Sequence, residues 1–338
     1  DTDAAFAATS GDNIAIGTEA MGGGSLGDAD DNIAIGKSAL TALTTGDYNI
    51  MIGQTSGDVM TTTKKNIGLG YCTLSAYTVH GSTAEAHNIA IGTDAMALLQ
   101  TGIYNTVVGG NAGDAMTTTD NTTLIGYNAG TAINSADANG SVAVGHQAGL
   151  AHTSGQMCVY LGHQAGLENA IGDSNVAIGY NAMFGTLVSN QNDNNIAIGS
   201  ENPDGTLAAM GGQWAGSAST NNVAIGTGSM AGAMNASIHN VCIGSTAGTA
   251  ITTGDANVII GSAAGLTIDT GGDNVCIGRQ AGDGFDAEGG NIAIGAQALD
   301  GAVAGADNCV VIGKQAMRGA ATIDGTIAIG YQALTAVS

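Results

Sequence analysis

The chain repeats one short motif eighteen times, and this repeat constrains the fold more than any other feature. The residue before the repeated glycine is Ile, Val or Leu in every copy, and the residue three before it is Ile or Val in all but two copies. The commonest spacing is 17 residues, and the glycines are Gly17, Gly36, Gly53, Gly70, Gly92, Gly109, Gly126, Gly145, Gly162, Gly179, Gly199, Gly226, Gly244, Gly261, Gly278, Gly295, Gly313 and Gly330. A unit this short cannot bury its own apolar face, whereas stacked copies can. The sequence therefore predicts an all-β, parallel β-solenoid with about 18 coils of about 17 residues.

Positions within a coil are numbered here from this glycine, which is position 0. The aliphatic residues at positions −3 and −1 share one face of a strand, and we expect them to point into the coil. Position −4 is Asn in thirteen copies, and these side chains are predicted to form a ladder between coils, as at Asn13, Asn32, Asn88, Asn175 and Asn291. The glycine is predicted to supply a positive φ or room for a close backbone, as at Gly17, Gly36, Gly92, Gly179 and Gly295.

Position −2 predicts association with other chains. It alternates with the aliphatic pair, yet no charged residue occupies it in any of the eighteen copies. Since a half-exposed strand is usually polar on its outer face, we expect this face to be covered by another subunit. Small residues there suit three chains around a common axis, and the interface candidates are Ala15, Ala34, Ala90, Ala177, Cys242 and Cys276.

Domain organisation follows from the repeat. We expect a partial coil at residues 1–10 and a single solenoid domain over 11–338, with insertions at 71–87 and 200–221. Because loops on a rigid scaffold often carry binding residues, the candidate ligand contacts are Tyr71, Tyr77 and the single tryptophan, Trp214. The alternative for Trp214 is packing over its own coil.

Composition argues against several classes of partner. The net charge is −22, with only 6 Lys and Arg, and nucleic acids and anionic membranes are bound mainly through such cations. The chain contains no run of eighteen apolar residues, so the sequence does not predict a transmembrane helix. The five cysteines lack the close pairs of a disulfide or zinc framework.

Short motifs do not predict an enzyme. Gly36, Lys37 and Ser38 resemble the end of a phosphate loop, but that motif needs glycine where this chain has Asp31. No nucleophile elbow or His-Glu-x-x-His motif occurs, so we expect no catalytic activity.

Two columns of side chains raise the question of metal binding. His146 and His163 occupy equivalent positions and could bind a transition metal or form an exposed ladder. Aspartate recurs five or six residues before the glycine, where it could serve as a turn residue or bind Ca²⁺, at Asp12, Asp31, Asp47, Asp120, Asp173, Asp255, Asp273, Asp307 and Asp324. We expect turn residues and no resident metal.

The strings "NIAIGTEAM", "NVAIGYNAM" and "NIAIGAQAL" resemble two groups of repeats. One is the head of YadA-like trimeric autotransporter adhesins, a left-handed parallel β-roll; the other is found in bacteriophage tail fibres. The resemblance implies a homotrimeric, non-enzymatic fibre on a virion or cell surface, outside the cell, that attaches to a glycan or receptor. The adhesin repeat is usually shorter than 17 residues, which is a departure from the family pattern.

Two alternatives remain open from the sequence. The first is a subunit of a self-assembling extracellular filament, in which solenoid ends pair head to tail. The second is a polysaccharide-degrading β-solenoid enzyme, which would need acidic residues clustered in a groove.

Overall fold

The computed structural model contains eighteen parallel strands of three residues, one for each predicted coil. It describes residues 11–23, 26–78, 85–185, 192–201, 208–211, 217–301, 305–319 and 324–335. The strands are β1 Ile14–Ile16, β2 Ile33–Ile35, β3 Ile50–Ile52, β4 Ile67–Leu69, β5 Ile89–Ile91, β6 Thr106–Val108, β7 Thr123–Ile125, β8 Val142–Val144, β9 Val159–Leu161, β10 Val176–Ile178, β11 Ile196–Ile198, β12 Val223–Ile225, β13 Val241–Ile243, β14 Val258–Ile260, β15 Val275–Ile277, β16 Ile292–Ile294, β17 Val310–Ile312 and β18 Ile327–Ile329. One 3₁₀ turn, Ala136–Ala138, lies before β8. The predicted all-β parallel solenoid is therefore confirmed.

The chain divides into two compact units, residues 1–163 and 164–338. The first contains β1 to β9 and the second contains β10 to β18. Within each unit, every strand pairs in parallel with the next, and equivalent coil positions lie opposite each other. The predicted partial coil at 1–10 lies outside the described residues, while the single domain and the left-handed sense stay predictions.

Left-handed backbone conformations bend each coil. In the coil of Gly36, φ is +135° at the glycine, and it is also positive at Asp31, Ser38 and Leu40, at 57°, 58° and 50°. The same four positions recur with positive φ in most coils. Because the left-handed region is unfavourable for residues with a Cβ, tertiary packing must hold these turns in place. Four such bends allow only about 17 residues to close a coil around a three-residue strand.

The repeated glycines pack directly on one another. A Cβ added to Gly53 would lie 2.0 Å from the carbonyl oxygen of Gly70, and one on Gly36 would lie 2.5 Å from the oxygen of Gly53. Both glycines also have φ beyond +130°. This position therefore needs glycine for its backbone conformation and for its close approach to the next coil.

The two faces of each strand point in the directions opposite to those we predicted. Position −2 points into the coil: Ala34, Ala90, Ala177, Cys242 and Cys276 are fully buried, and only Ala15, in β1, is half-buried. Burial raises the pKa of the Cys276 thiol to about 12. Positions −3 and −1 point outward and are half-buried or exposed in every strand. The prediction that the small column contacts another subunit was therefore wrong, since a single chain already encloses it.

Limited interior volume explains this orientation. Position −2 shares the coil interior with position +4, and the sizes of the two residues compensate in most coils; Ala143 with Gly149 and Val311 with Met317 are exceptions. Where position −2 is Met51, position +4 is Gly57, and a Cβ there would lie 3.2 Å from the Met51 Sδ. Where position −2 is Ala34 or Ala90, position +4 is the larger Leu40 or Met96, and all four of these side chains are fully buried. Since protein interiors are close-packed, one large residue fills the available space in such a pair.

Adjacent glycines test the stacking. Gly109→Ala places a Cβ 2.2 Å from the Gly126 carbonyl oxygen at a φ of +144°, so we expect the free energy of unfolding to fall by about 2 to 4 kcal/mol. The control Gly110→Ala has no positive φ, and its nearest neighbour is a Tyr127 ring carbon at 3.4 Å. Urea denaturation should show a change within about 0.5 kcal/mol for the control. Equal effects of the two substitutions would contradict this role for position 0.

A double-mutant cycle tests the compensation inside the coil. We expect Ala90→Met to destabilise the protein by about 1 to 3 kcal/mol because Met96 already fills the interior. Adding Met96→Gly should remove most of that loss, because it recreates the Met51 and Gly57 pair. Thermal denaturation of the two single variants and the double variant gives the coupling energy. A neutral Ala90→Met, uncoupled from Met96, would show that position −2 faces outward.

Candidate functional site

The outward side chains of the strands form a continuous apolar surface in each unit, called the aliphatic stripe here. It consists of positions −3 and −1. In the second unit all eighteen of these residues are Ile or Val, and in the first unit the only polar members are Thr106 and Thr123. Within the stripe, Leu69, Ile125 and Leu161 are exposed, and most of the others are half-buried. No charged side chain lies in the stripe.

The area of the stripe in each unit matches that of the largest apolar patch on a typical soluble protein. Nine strands at about 4.8 Å spacing span about 40 Å, and a strand of three residues is about 10 Å long, which gives on the order of 400 Å² per unit. Contiguous apolar patches of about 300 to 600 Å² on soluble proteins often mark interaction sites. The stripe is therefore the strongest candidate for a binding surface in either unit.

Aromatic and basic residues border the stripe along the chain. Six of the eight tyrosines lie at positions −5 and +1, on either side of the strand, and all six are exposed: Tyr48, Tyr71, Tyr104, Tyr127, Tyr180 and Tyr331. Four of the six Lys and Arg residues also occupy these positions: Lys37, Lys65, Arg279 and Lys314. An apolar centre with tyrosines at its border is typical of protein interfaces. Three of the four cations are Lys, which interfaces contain less often than Arg.

The aromatic residues predicted as ligand contacts occupy different environments. Tyr71 is 48% exposed and lies at position +1, beside the stripe. Tyr77 is fully buried, and its hydroxyl donates a hydrogen bond to the Gly102 carbonyl oxygen at 2.9 Å. Burial raises the pKa of Tyr77. The proposed ligand contact at Tyr77 was therefore wrong, because this residue belongs to the core; Trp214 lies outside the described residues.

The two histidines at position +1 form part of a stacked aromatic column. The ring centroids of His146 and His163 are 4.9 Å apart with an interplanar angle of 9°, and the Tyr127 ring stacks on His146 at 5.7 Å. A metal ion must lie in the plane of each imidazole that binds it, and two nearly parallel planes do not meet at one ion. In the described ranges, no group of three or more His, Cys, Asp or Glu residues could hold a metal ion. The geometry favours an exposed ladder.

The asparagines at position −4 form a ladder inside the coils. The Asn32 Oδ1 accepts the backbone N–H of Asn49 at 2.9 Å, and the Asn32 Nδ2 donates to the Gly46 carbonyl oxygen at 2.8 Å. Equivalent bonds to the next coil are made by the Oδ1 atoms of Asn13, Asn88, Asn175 and Asn291. Of the five, only Asn13 is not fully buried. These side chains bind the backbone of their own chain and are not available to a ligand.

A buried polar cluster lies where the Asn ladder is interrupted. Ser141 and Cys158 occupy position −4 in two successive coils, and His152 lies between them in the chain. The His152 Nε2 is 3.3 Å from the Ser141 Oγ, and its Nδ1 is 3.3 Å from the Tyr160 hydroxyl. Ser141, His152 and Tyr160 are each about 1% exposed, so a substrate cannot reach this serine and histidine.

The recurring aspartates form a second ladder, along the turn before the strand. At position −6, the Oδ1 of one aspartate accepts the backbone N–H of the equivalent residue in the preceding coil. The distances are 2.8 Å from Ile103 to Asp120, 2.7 Å from Ile238 to Asp255 and 3.0 Å from Asp307 to Asp324. The aspartates at position −5, Asp12, Asp31 and Asp273, have positive φ instead. Hydrogen bonds to the backbone therefore account for aspartate at position −6.

Acidic side chains also line an open groove of about 710 Å³ in the second unit. Its walls include Asp269, Asp283, Asp286 and Asp300. Burial, and then the charge of Asp300, raise the pKa of Asp283. This groove is the feature that the enzyme alternative requires, and sequence reasoning did not identify it.

Comparisons with known proteins return nothing: no family model, no curated protein and no solved structure matches the chain. Among the described residues, no helix has the length and apolar character needed to cross a bilayer. The stripe and the repeat are therefore the features of this chain that indicate a function.

The Asp ladder predicts how Asp120 variants behave. Asp120→Asn keeps the oxygen that accepts the Ile103 N–H, so we expect an unchanged melting temperature. Asp120→Ala removes the acceptor and should cost about 1 kcal/mol. Differential scanning calorimetry with and without EDTA provides the check, and the chelator should have no effect. If calcium bound there, EDTA would lower the melting temperature and Asp120→Asn would behave like Asp120→Ala.

Proposed function

We propose that this chain is a non-enzymatic structural fibre or adhesin, in which three copies associate through their aliphatic stripes. The observation that carries the proposal is the stripe itself, an uncharged and almost entirely aliphatic surface that extends over every strand of each unit. A fibre of this kind functions outside the cell, on a virion or cell surface, as the repeat resemblance implies.

The spacing of the stripe favours another copy of the chain as its partner. Its side chains recur at the strand spacing of about 4.8 Å, in register over nine strands of each unit. An α-helix, with a pitch of about 5.4 Å, would lose register within a few strands. A second solenoid has the same period and can contact every strand equally.

Charge and area support the same partner. Copies of a chain with a net charge of −22 repel one another over most of their surface. The stripe carries no charge, and four of the six cations border it along the chain, so this is the face where repulsion is weakest. The stripes of the two units provide on the order of 800 Å² per chain, which is the standard size for one side of a specific interface.

The number of chains and the attachment role are supported by the resemblance. The stripe is only about 10 Å wide, so three copies can direct their stripes toward one axis. Attachment to a cell-surface glycan or receptor is the usual role of the fibres and adhesin heads that have this repeat. The exposed tyrosines and the insertions at 71–87 and 200–221 are the places on this chain for such contacts.

Two other functions are distinguished by direct observation. A filament subunit would form polymers of indefinite length, which electron microscopy would reveal. A polysaccharide-degrading enzyme would use the acidic groove of Asp269, Asp283, Asp286 and Asp300, and it would release sugars from a bacterial polysaccharide panel. The fibre proposal expects particles of one size and no released sugar.

Matched double variants test the role of the stripe. Ile260→Lys with Ile277→Lys introduces two charges into the stripe, while Thr270→Lys with Ala287→Lys introduces the same charges at exposed positions of the same two coils. We expect wild type and the Thr270 and Ala287 variant to sediment at three times the 32.9 kDa chain mass. The Ile260 and Ile277 variant should sediment as a folded monomer, because a buried unpaired charge is strongly unfavourable.

Analytical ultracentrifugation gives the mass, and circular dichroism shows that each variant is folded. A monomeric wild type would disprove the proposal. An Ile260 and Ile277 variant that remains trimeric would show that the stripe is not the interface.

A further inference from the structure

Two adjacent threonines interrupt the aliphatic stripe of the first unit. Thr106 and Thr123 occupy position −3 of β6 and β7 and lie opposite each other in the parallel pair. They are the only two polar residues among the 36 stripe positions. Both are half-buried, and within the described part of the chain neither side-chain hydroxyl makes a hydrogen bond.

Covering the stripe removes water from these two hydroxyls. A buried hydroxyl without a partner is unfavourable, whereas one that meets another hydroxyl can donate one hydrogen bond and accept others. Opposite Ile or Val of a neighbouring chain, the hydroxyl of Thr106 or Thr123 would have no partner. Opposite the same threonine in the other copies, three hydroxyls at one level can form a closed ring of hydrogen bonds.

We propose that Thr106 and Thr123 form a polar layer that fixes the axial register of the associated chains. The inference rests on the proposed association through the stripe. The remainder of the stripe repeats at every strand, so its apolar contacts change little when one chain slips by a coil. The threonines distinguish these positions. A slip of one coil leaves Thr106 of one chain opposite Thr123 of its neighbour, but it places the remaining threonine of each chain opposite Val142 or Ile89.

This function is analogous to that of a single polar residue in an apolar coiled-coil seam, which selects one register among several of similar stability. Each unpaired hydroxyl is expected to disfavour a slipped register by roughly tenfold. Thr106 and Thr123 are thus expected to affect the uniqueness of the assembly more than its stability.

Cysteine cross-linking between neighbouring coils measures the register. Two differently tagged chains, one with Ile52→Cys and one with Leu69→Cys, are co-expressed in a Cys72→Ser background, since the other four cysteines are buried. Ile52 and Leu69 occupy equivalent positions of β3 and β4. Aligned chains join equal positions, whereas chains slipped by one coil join Ile52→Cys to Leu69→Cys. Mass spectrometry of the oxidised protein gives the ratio of the two products.

With both threonines present, we expect equal-position products to exceed mixed products by roughly tenfold or more. Thr106→Val with Thr123→Val should leave the trimer mass unchanged and reduce that ratio to near one. The control Thr106→Ser with Thr123→Ser keeps both hydroxyls and should keep the wild-type ratio.

The outcomes separate this inference from the proposed function. A monomeric wild type would reject the association itself. A trimeric valine variant that keeps the wild-type ratio would reject the threonine layer alone, as would a valine variant that becomes monomeric. A serine variant that loses the ratio would show that the hydroxyls are not the determining groups.

Discussion

In-register stacking is the constraint on which the rest of the structure depends. Consecutive coils pair with equivalent positions opposite each other, so a residue type that recurs in the sequence becomes a column in space. The hydrogen bonds of the Asn column, the backbone bonds of the Asp column and the close approach of the glycines all follow from this pairing. A residue at one of these positions must therefore pack or bond favourably with the equivalent residue of the next coil, about 4.8 Å away.

The repeat predicts the fold because it determines which backbone groups can pair. All eighteen predicted strands are present, and the glycine at position 0 has both the positive φ and the close contact anticipated from the sequence. Strand alternation alone left open which face points inward, and residue size led to the wrong choice. The correct signal was already in the sequence: bulky residues at position −2, such as Met51, occur with glycine at position +4, and Ala34 occurs with Leu40. Only residues that share an interior need to compensate in this way.

The candidate binding surface could be predicted in part for the same reason. An interface on the outer face of the strands was expected, but it was assigned to the small column rather than to the Ile and Val columns. The burial of an aromatic residue is harder to predict from the sequence. Tyr71 and Tyr77 are six residues apart in one insertion, yet Tyr71 is exposed and Tyr77 is buried. The acidic groove joins Asp269 with Asp286 and Asp283 with Asp300, and each pair occupies equivalent positions of neighbouring coils. The 17-residue spacing of these aspartates was therefore a signal in the sequence that could have indicated the groove.

The bonding of each coil to its two neighbours has a consequence for how such a chain can change in length. Because the bonds of a coil go to the coils directly before and after it, loss or duplication of one complete repeat preserves every column. The turns also accept an extra residue, since the 18-residue spacing between Gly226 and Gly244 leaves the strands in register. Evolution can therefore lengthen or shorten this protein in steps of one strand spacing, by recombination between its own repeats. Thr106 and Thr123 would then act as a fixed reference along the chain, from which copies of unequal length could still align.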